Sequence, residues 1–332
     1  AKNEIRKQTT STLFANARIN YSISKNFDLA IRGGVNNRTL LNESFYNELT
    51  SRGYPFPDNT RGVNGSIYNT YLNTWVNENI LTYKNQINKN NFLDVIGGVT
   101  FQSNKYKRNG YEAQRVPNPE LGISGLDQGE LTSLASLDTE NTLVSFLSRV
   151  NYNYKSKYLF TASFRADASS KFAKGHKWGY FPSAAFAWNM GKEDFMKSSN
   201  FVSDAKFRVS YGITGNNRVT DFPYLSSLTM PYNNYYSYNN EIPSNGILPS
   251  TYGNEDLKWE STVQVDIGYD ISFFKNRVNL VVDLYRKNTN DLLLNAVVPY
   301  STGYGKILKN IGKVRNQGIE LSLSTVNVKT KN

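Results

Sequence analysis

The chain's single histidine, His176, lies close in sequence to Asp167, Ser169 and Ser170, the residue types of a base, an orienting acid and a hydroxyl nucleophile. Hydrolytic chemistry needs the imidazole held between acid and hydroxyl. Nothing in the sequence orients His176 in that way, and its segment reads as a solvated loop. The carboxylates Asp266 and Asp270 stand four residues apart on one strand face. At about 3.3 Å per residue they are separated by roughly 13 Å, more than the roughly 6.5–9.5 Å of an inverting glycosidase pair. One histidine and no cysteine leave no metal-ligand set, and no Walker-type phosphate cradle occurs. The sequence therefore predicts no enzyme, no metal and no cofactor. What remains is binding chemistry. Arg165 and Asp167 make a charged pair on one strand face, Asp266 and Asp270 lie on another, and Tyr232, Tyr235, Tyr236 and Tyr238 cluster between Pro231 and Pro243. Tyrosines in an outer loop either stack on sugar rings or peptide side chains, or pack the loop against its neighbours.

The elements that carry these residues read as long strands. From Thr262 to Phe273 the alternation is strict: Val263, Val265, Ile267, Tyr269, Ile271 and Phe273 share one face, and Thr262, Gln264, Asp266, Gly268, Asp270 and Ser272 the other. Val278, Leu280, Val282 and Leu284 resume the apolar face after the turn Lys275-Asn276. Period two means one greasy and one wet side. Such lengths suit a spanning β-strand of about 9–11 residues better than a soluble strand of about 5–6. Further strands are expected over 12–24, 26–36, 71–87, 91–103, 142–154, 157–167, 181–190, 206–214, 259–274, 277–287 and 318–328. Tight polar joints alternate with long polar excursions over 37–69, 104–140, 168–180, 215–258 and 288–317. Short turns on one side and long loops on the other are the signature of an outer-membrane barrel. The joint Gly191 to Asp204 is longer than others on its side and has room for a helical turn. Tyr152, Tyr154 and Tyr158 at one turn, and Tyr269, Phe273 and Phe274 at another, suit an interfacial girdle. A soluble β-sandwich would have shorter strands and no such one-sided excursions.

Composition agrees with this class. Of 332 residues 39% are hydrophobic and 14% aromatic, and the mean hydropathy of −0.53 is polar. An alternating barrel hides its apolar residues and scores this way. No apolar run approaches the roughly 20 residues of a spanning helix. The net charge of +11 is spread among acids, with Lys105, Lys107 and Arg108 as the densest cluster, so no nucleic-acid partner is expected.

Several motifs then follow one another in a specific order. Arg165-Ala166-Asp167-Ala168-Ser169-Ser170-Lys171-Phe172, Trp178-Gly179-Tyr180-Phe181-Pro182-Ser183 and Ala187-Trp188 come first. Arg208 to Asn216 follows, then Asn254 with Leu257-Lys258-Trp259-Glu260, then Tyr285 with Thr289, Asp291, Leu292 and Leu293. Val298-Pro299 with Gly303, Asn310-Ile311-Gly312 and Asn316-Gln317-Gly318-Ile319-Glu320 complete the series. This succession resembles the barrel of the SusC/RagA branch of TonB-dependent outer-membrane transporters. The family usually has glycine where this chain has Ala168.

The resemblance implies an all-β, antiparallel transmembrane barrel of 22 strands, of which about eleven are recognisable in residues 1–332. No plug, carboxypeptidase-regulatory-like domain or TonB-box segment is recognised, and the sequence reads as an internal fragment. The implied function is active uptake of large nutrients, oligosaccharides or peptides, through the outer membrane of a Gram-negative bacterium. A SusD-like surface lipoprotein would cover the mouth, the TonB-ExbB-ExbD complex would supply energy through a missing N-terminal region, and outer-membrane lipid would surround the wall. A passive porin or an adhesive surface barrel are the alternatives. Trp178, Trp188 and Trp259 suit barrel rims, and Gly212, Gly215 and Gly312 suit bends or close approaches.

Overall fold

The computed structural model describes residues 3–55, 59–197, 199, 201–230, 235–237 and 244–328. Eleven long strands form one antiparallel sheet: β1 (Glu4–Ser22), β2 (Phe27–Tyr46), β3 (Asn64–Asn88), β4 (Asn91–Gln114), β5 (Glu130–Tyr154) and β6 (Tyr158–Ser169) lead. Then come β7 (Trp178–Asn189), β8 (Val202–Asn216), β9 (Glu260–Phe273), β10 (Val278–Asn290) and β11 (Lys313–Thr325). Each strand pairs with its sequence neighbours, in the order β1 to β11. This is the meander of an up-and-down barrel wall, with β1 and β11 at its two edges.

Register gives the wall two unlike faces. Ile267 lies between Val209 of β8 and Leu284 of β10, and Tyr269 lies between Phe207 and Val282. One residue along, Asp266 lies between Ser210 and Tyr285, and Gly268 between Arg208 and Asp283. The apolar face is open: Ile267 is 42% and Phe160 48% exposed. Hydrocarbon is the solvent that removes the cost of such a surface, while the polar face turns to the lumen. Aromatic pairs mark the two edges of the apolar band. Tyr154, Tyr158 and Trp188 stack in sequence at the turn end, with ring centroids 6.2 and 6.3 Å apart. Phe146 and Trp178 stack at 6.1 Å near the other end. Trp178 is paired with Ala168, ten residues along β6 from Tyr158. Ten residues make about 33 Å of strand, which at the usual tilt of roughly 40° is about 25 Å in height, the thickness of a barrel's apolar band.

The strands differ from expectation mainly at one end; on the turn side β8 begins four residues early at Val202 and β11 stops three early at Thr325. The other turn ends agree closely, but β2 and β4 run on to Tyr46 and Gln114, and β3 and β5 begin at Asn64 and Glu130. The excursion expected over 104–140 is therefore mostly strand, and about half of that over 37–69 is strand. Beyond the bilayer both faces meet water, so pairing continues while the apolar alternation stops. The compact cores of the chain also lie at that end. Phe45, Ala113, Val116 and Leu126 pack together above β1 to β5, and Phe172, Phe181, Leu257 and Trp259 above β6 to β9.

The turn side is tight. Lys155 and Ser156 close the β5–β6 hairpin with φ of 52° and 54°, the left-handed pair of a type I′ turn. The longer joint holds the expected helical turn, as a 3₁₀ turn Met190–Lys192 and one α-turn Asp194–Lys197. Glu193 ties it to the sheet, accepting from Lys157 Nζ at 2.6 Å, Tyr158 Oη at 2.7 Å and Trp188 Nε1 at 3.1 Å. The Lys157 hydrogen bond, reinforced by those of Tyr158 and Trp188, lowers the Glu193 carboxyl from 4.5 to about 2. A depressed carboxylate contributes stability above its unfolded value and loses it as pH falls through the folded one. Amide exchange in residues 190–201, taken relative to the intrinsic rate at each pH, should therefore rise as pH falls from 4.5 towards 2. Glu193→Gln should raise it already at neutral pH, and a profile identical to that of the unaltered protein would refute the anchor.

Candidate functional site

The polar wall carries its charges in closed clusters. Arg165 Nε donates to both oxygens of Asp167, at 2.8 and 2.9 Å, and its Nη2 reaches Ser145 Oγ at 2.9 Å. Asp167 and Ser145 are buried, so the arginine neutralises a carboxylate that water hardly reaches. Asp266 accepts from Ser210 Oγ at 3.1 Å and from Gln264 Nε2 at 2.7 Å. Asp270 is held by a two-pronged bond from Arg208, Nε at 3.0 Å and Nη2 at 2.7 Å, and the same Nη2 reaches Asp283 at 2.9 Å. Arg208 and Asp283 were not singled out as site residues, although Arg208 opens one of the quoted motifs. The signal available was register: Arg208 and Asp283 flank Gly268 at one height, and Asp270 follows two residues along the same face. Gly268 makes the fork possible, because a Cβ there would stand 2.6 Å from the Arg208 guanidinium carbon.

At the outer end the wall supports a braced mouth. Trp259 lies between Phe172 and Phe181, with centroids 5.6 and 5.4 Å away, and its indole N–H donates to the Lys177 carbonyl at 2.9 Å. Trp259 is thus a packed core residue and not an interfacial rim residue. Gly215 is required beside it, since a Cβ would fall 2.1 Å from the Phe181 ring. The motif asparagines join the two large loops. Asn310 Nδ2 donates to the carbonyls of Lys258 and Asp291, both at 2.9 Å, while its Oδ1 accepts from Lys258 N. Asn254 Nδ2 donates to the Leu308 carbonyl at 2.8 Å, and Lys258 Nζ meets Asp291 at 3.0 Å. Asp221 carries the bracing to the wall through Asn141 at 3.0 Å and Lys171 at 3.8 Å.

Tyr235 and Tyr236 form a two-residue strand paired with Ser244–Asn245, and Tyr232 and Tyr238 lie outside the described residues. His176 is in the turn between β6 and β7, where its backbone N–H donates to the Ala173 carbonyl. Ser169 Oγ is occupied by the amide of Asn217 and the backbone of Lys171, and Ser170 Oγ by the backbone of Thr142. Asp167 faces Arg165, so Asp167, Ser169 and Ser170 are each engaged elsewhere than with His176. The arrangement is a polar wall with a hydrogen-bonded loop platform at one end.

Residues 2–328 match the family described as "TonB dependent receptor-like, beta-barrel". The chain is 34% identical over 324 residues to TonB-dependent receptor P39 of Formosa agariphila, covering 96% of this chain and 29% of that protein. It is 34% identical over 292 residues to TonB-dependent receptor SusC of Bacteroides thetaiotaomicron, covering 84% of this chain and 27% of that one. The fold superposes on the solved RagAB peptide transporter with a TM-score of 0.84 at 24% identity, covering 97% of this chain and 35% of that chain. The chain spans 26–29% of the length of the curated relatives it matches. Its two-faced sheet, its braced mouth and these matches agree: the chain belongs to the TonB-dependent receptors, in their SusC/RagA branch, and forms a stretch of their transmembrane β-barrel wall.

Proposed function

We infer that the intact protein imports large polar nutrients, oligosaccharides or peptides, across the outer membrane of a Gram-negative bacterium. This chain crosses that membrane repeatedly as barrel wall. The observation that carries the reading is the braced mouth. A passive porin needs only a polar lumen, whereas here an aromatic core and a lattice of asparagine and lysine bonds fix two long loops above the wall. Fixed loops preserve a shape, and a shape is what a ligand or a lid can recognise. The RagAB peptide transporter, whose fold the chain shares, supports uptake by its name, and the TonB-dependent receptor SusC supports the dependence on TonB. A SusD-like lipoprotein is the proposed lid, and TonB with ExbB and ExbD the proposed source of energy. Between wall and lid, the tyrosines from Tyr232 to Tyr238 are the proposed contact with glycan, peptide or lipoprotein.

Removing residues 232–238 from the full-length protein should lower ligand uptake or lipoprotein capture and leave surface abundance unchanged, because loop tips tolerate deletion. Uptake, pull-down and surface labelling of the same cells separate the two roles. Normal uptake together with normal capture would reduce the tyrosines to loop packing.

A further inference from the structure

Five joints close the turn side, and four of them are tight: residues 23–26, 89–90, 155–157 and 274–277. These four contain Lys25, Lys89, Lys155, Lys157, Lys275 and Arg277, and no aspartate or glutamate. Lys157 is engaged by Glu193, and Arg277 donates to the carbonyls of Val326 and Asn327. The other four, one in each tight joint, are exposed, and none forms an ion pair among the described residues. Two of them stand where other residues would be easier. Lys155 and Lys275 have φ of 52° and 56°, the left-handed region that asparagine and glycine adopt more readily in such turns. A lysine kept there against its own preference points to a use for its charge.

The surroundings say where that charge acts. Beneath the turns runs an aromatic belt: Phe27 against Tyr83 at 4.7 Å, Tyr154 against Tyr158 at 6.2 Å, and Phe201 against Phe273 and Phe274 at 5.0 and 4.8 Å. Such a belt marks the boundary between hydrocarbon and headgroups. The Lys155 ammonium lies 5.3 Å from the centre of the Tyr154 ring, so it leans over the lipid-facing surface. Asp28, Asp94 and Asp204, near the strand ends, alternate with outward residues and lie on the lumen face, away from the belt. Unpaired ammonium groups at headgroup height suit the phosphate of an anionic phospholipid. A zwitterionic headgroup brings its own ammonium and gains less.

We propose that Lys25, Lys89, Lys155 and Lys275 form a collar that binds anionic phospholipid headgroups of the periplasmic leaflet. The leaflet follows from the family's barrel, whose short turns face the periplasm. The collar needs no importer, since a passive barrel would carry it equally.

The test uses the full-length receptor in phosphatidylcholine vesicles, with spin-labelled phosphatidylglycerol and phosphatidylcholine as probes and heat-modifiable mobility as the check of assembly. One lysine at an anionic surface favours it about fivefold, so that over the whole perimeter immobilised phosphatidylglycerol should exceed phosphatidylcholine on the order of twofold. Molar salt should remove the difference. Lys25→Gln and Lys89→Gln combined with Lys155→Asn and Lys275→Asn should abolish it. Asparagine suits the left-handed positions, so this variant assembles at least as well as the parent. Arginine at the same four positions should keep the preference, and so should Lys105→Gln with Lys107→Gln at the outer end of the wall. An unaltered protein with no preference would overturn the collar and leave the lysines to an acidic periplasmic partner. A preference that survives loss of all four lysines, or that falls with Lys105 and Lys107 instead, would overturn it as well.

Discussion

Replacing Ile267 by arginine should destabilise the barrel by about 2–4 kcal/mol, the cost of a cation on the lipid face near the bilayer midplane. Ile267 sits midway along β9, flanked by Val209 and Leu284 in a face of apolar side chains. Asp266→Arg, one residue away, should cost much less. It sacrifices the hydrogen bonds from Ser210 and Gln264, but the new charge meets lumen water. Urea unfolding of the full-length barrel in lipid vesicles measures both. Equal losses would mean that the two faces of β9 are not lipid and lumen.

Trp259→Ala should cost about 3–5 kcal/mol of packing at the mouth, the range for deleting a buried large aromatic side chain. The indole is only 9% exposed and holds Phe172, Phe181 and the Lys177 carbonyl together. Because this core is built mostly from loop residues at the outer end, Phe172, Leu257 and Trp259, the loss should appear as loosened loops, with the spanning strands largely unaffected. Amide exchange should rise in residues 217–258 and 291–312 and stay low in the spanning halves of β8 and β9. Unchanged exchange in those loops would show that the asparagine and lysine bonds suffice without the aromatic core.

Much of this architecture is legible in the sequence because lipid imposes a simple code. Within the hydrocarbon every second residue must be apolar, so the turn ends of the strands and their faces follow from alternation alone. The code lapses where lipid ends. The segment Asn104 to Gln114 pairs with β5 throughout, yet Lys105, Lys107 and Arg108 carry no apolar stripe to announce it. Side-chain roles are legible only within one strand. Arg165 and Asp167, two residues apart, could be read together, whereas Arg208, Asp270 and Asp283 meet only through the register of three strands. Trp259 reads as an interfacial aromatic until the loops fold over it. The ordered motifs from Asn254 to Asn310 are explained in the same way, as bonds between loops that sequence separates by about fifty residues.

Energised import is the central claim, and uptake in the presence and absence of TonB tests it most directly. A host carrying the full-length gene, together with the proposed lipoprotein partner, should accumulate the cognate oligosaccharide or peptide against its gradient. Deleting TonB, or collapsing the inner-membrane proton gradient, should abolish that accumulation while surface levels of the receptor stay constant. Accumulation that persists unchanged without TonB would contradict the claim and leave the barrel a passive pore.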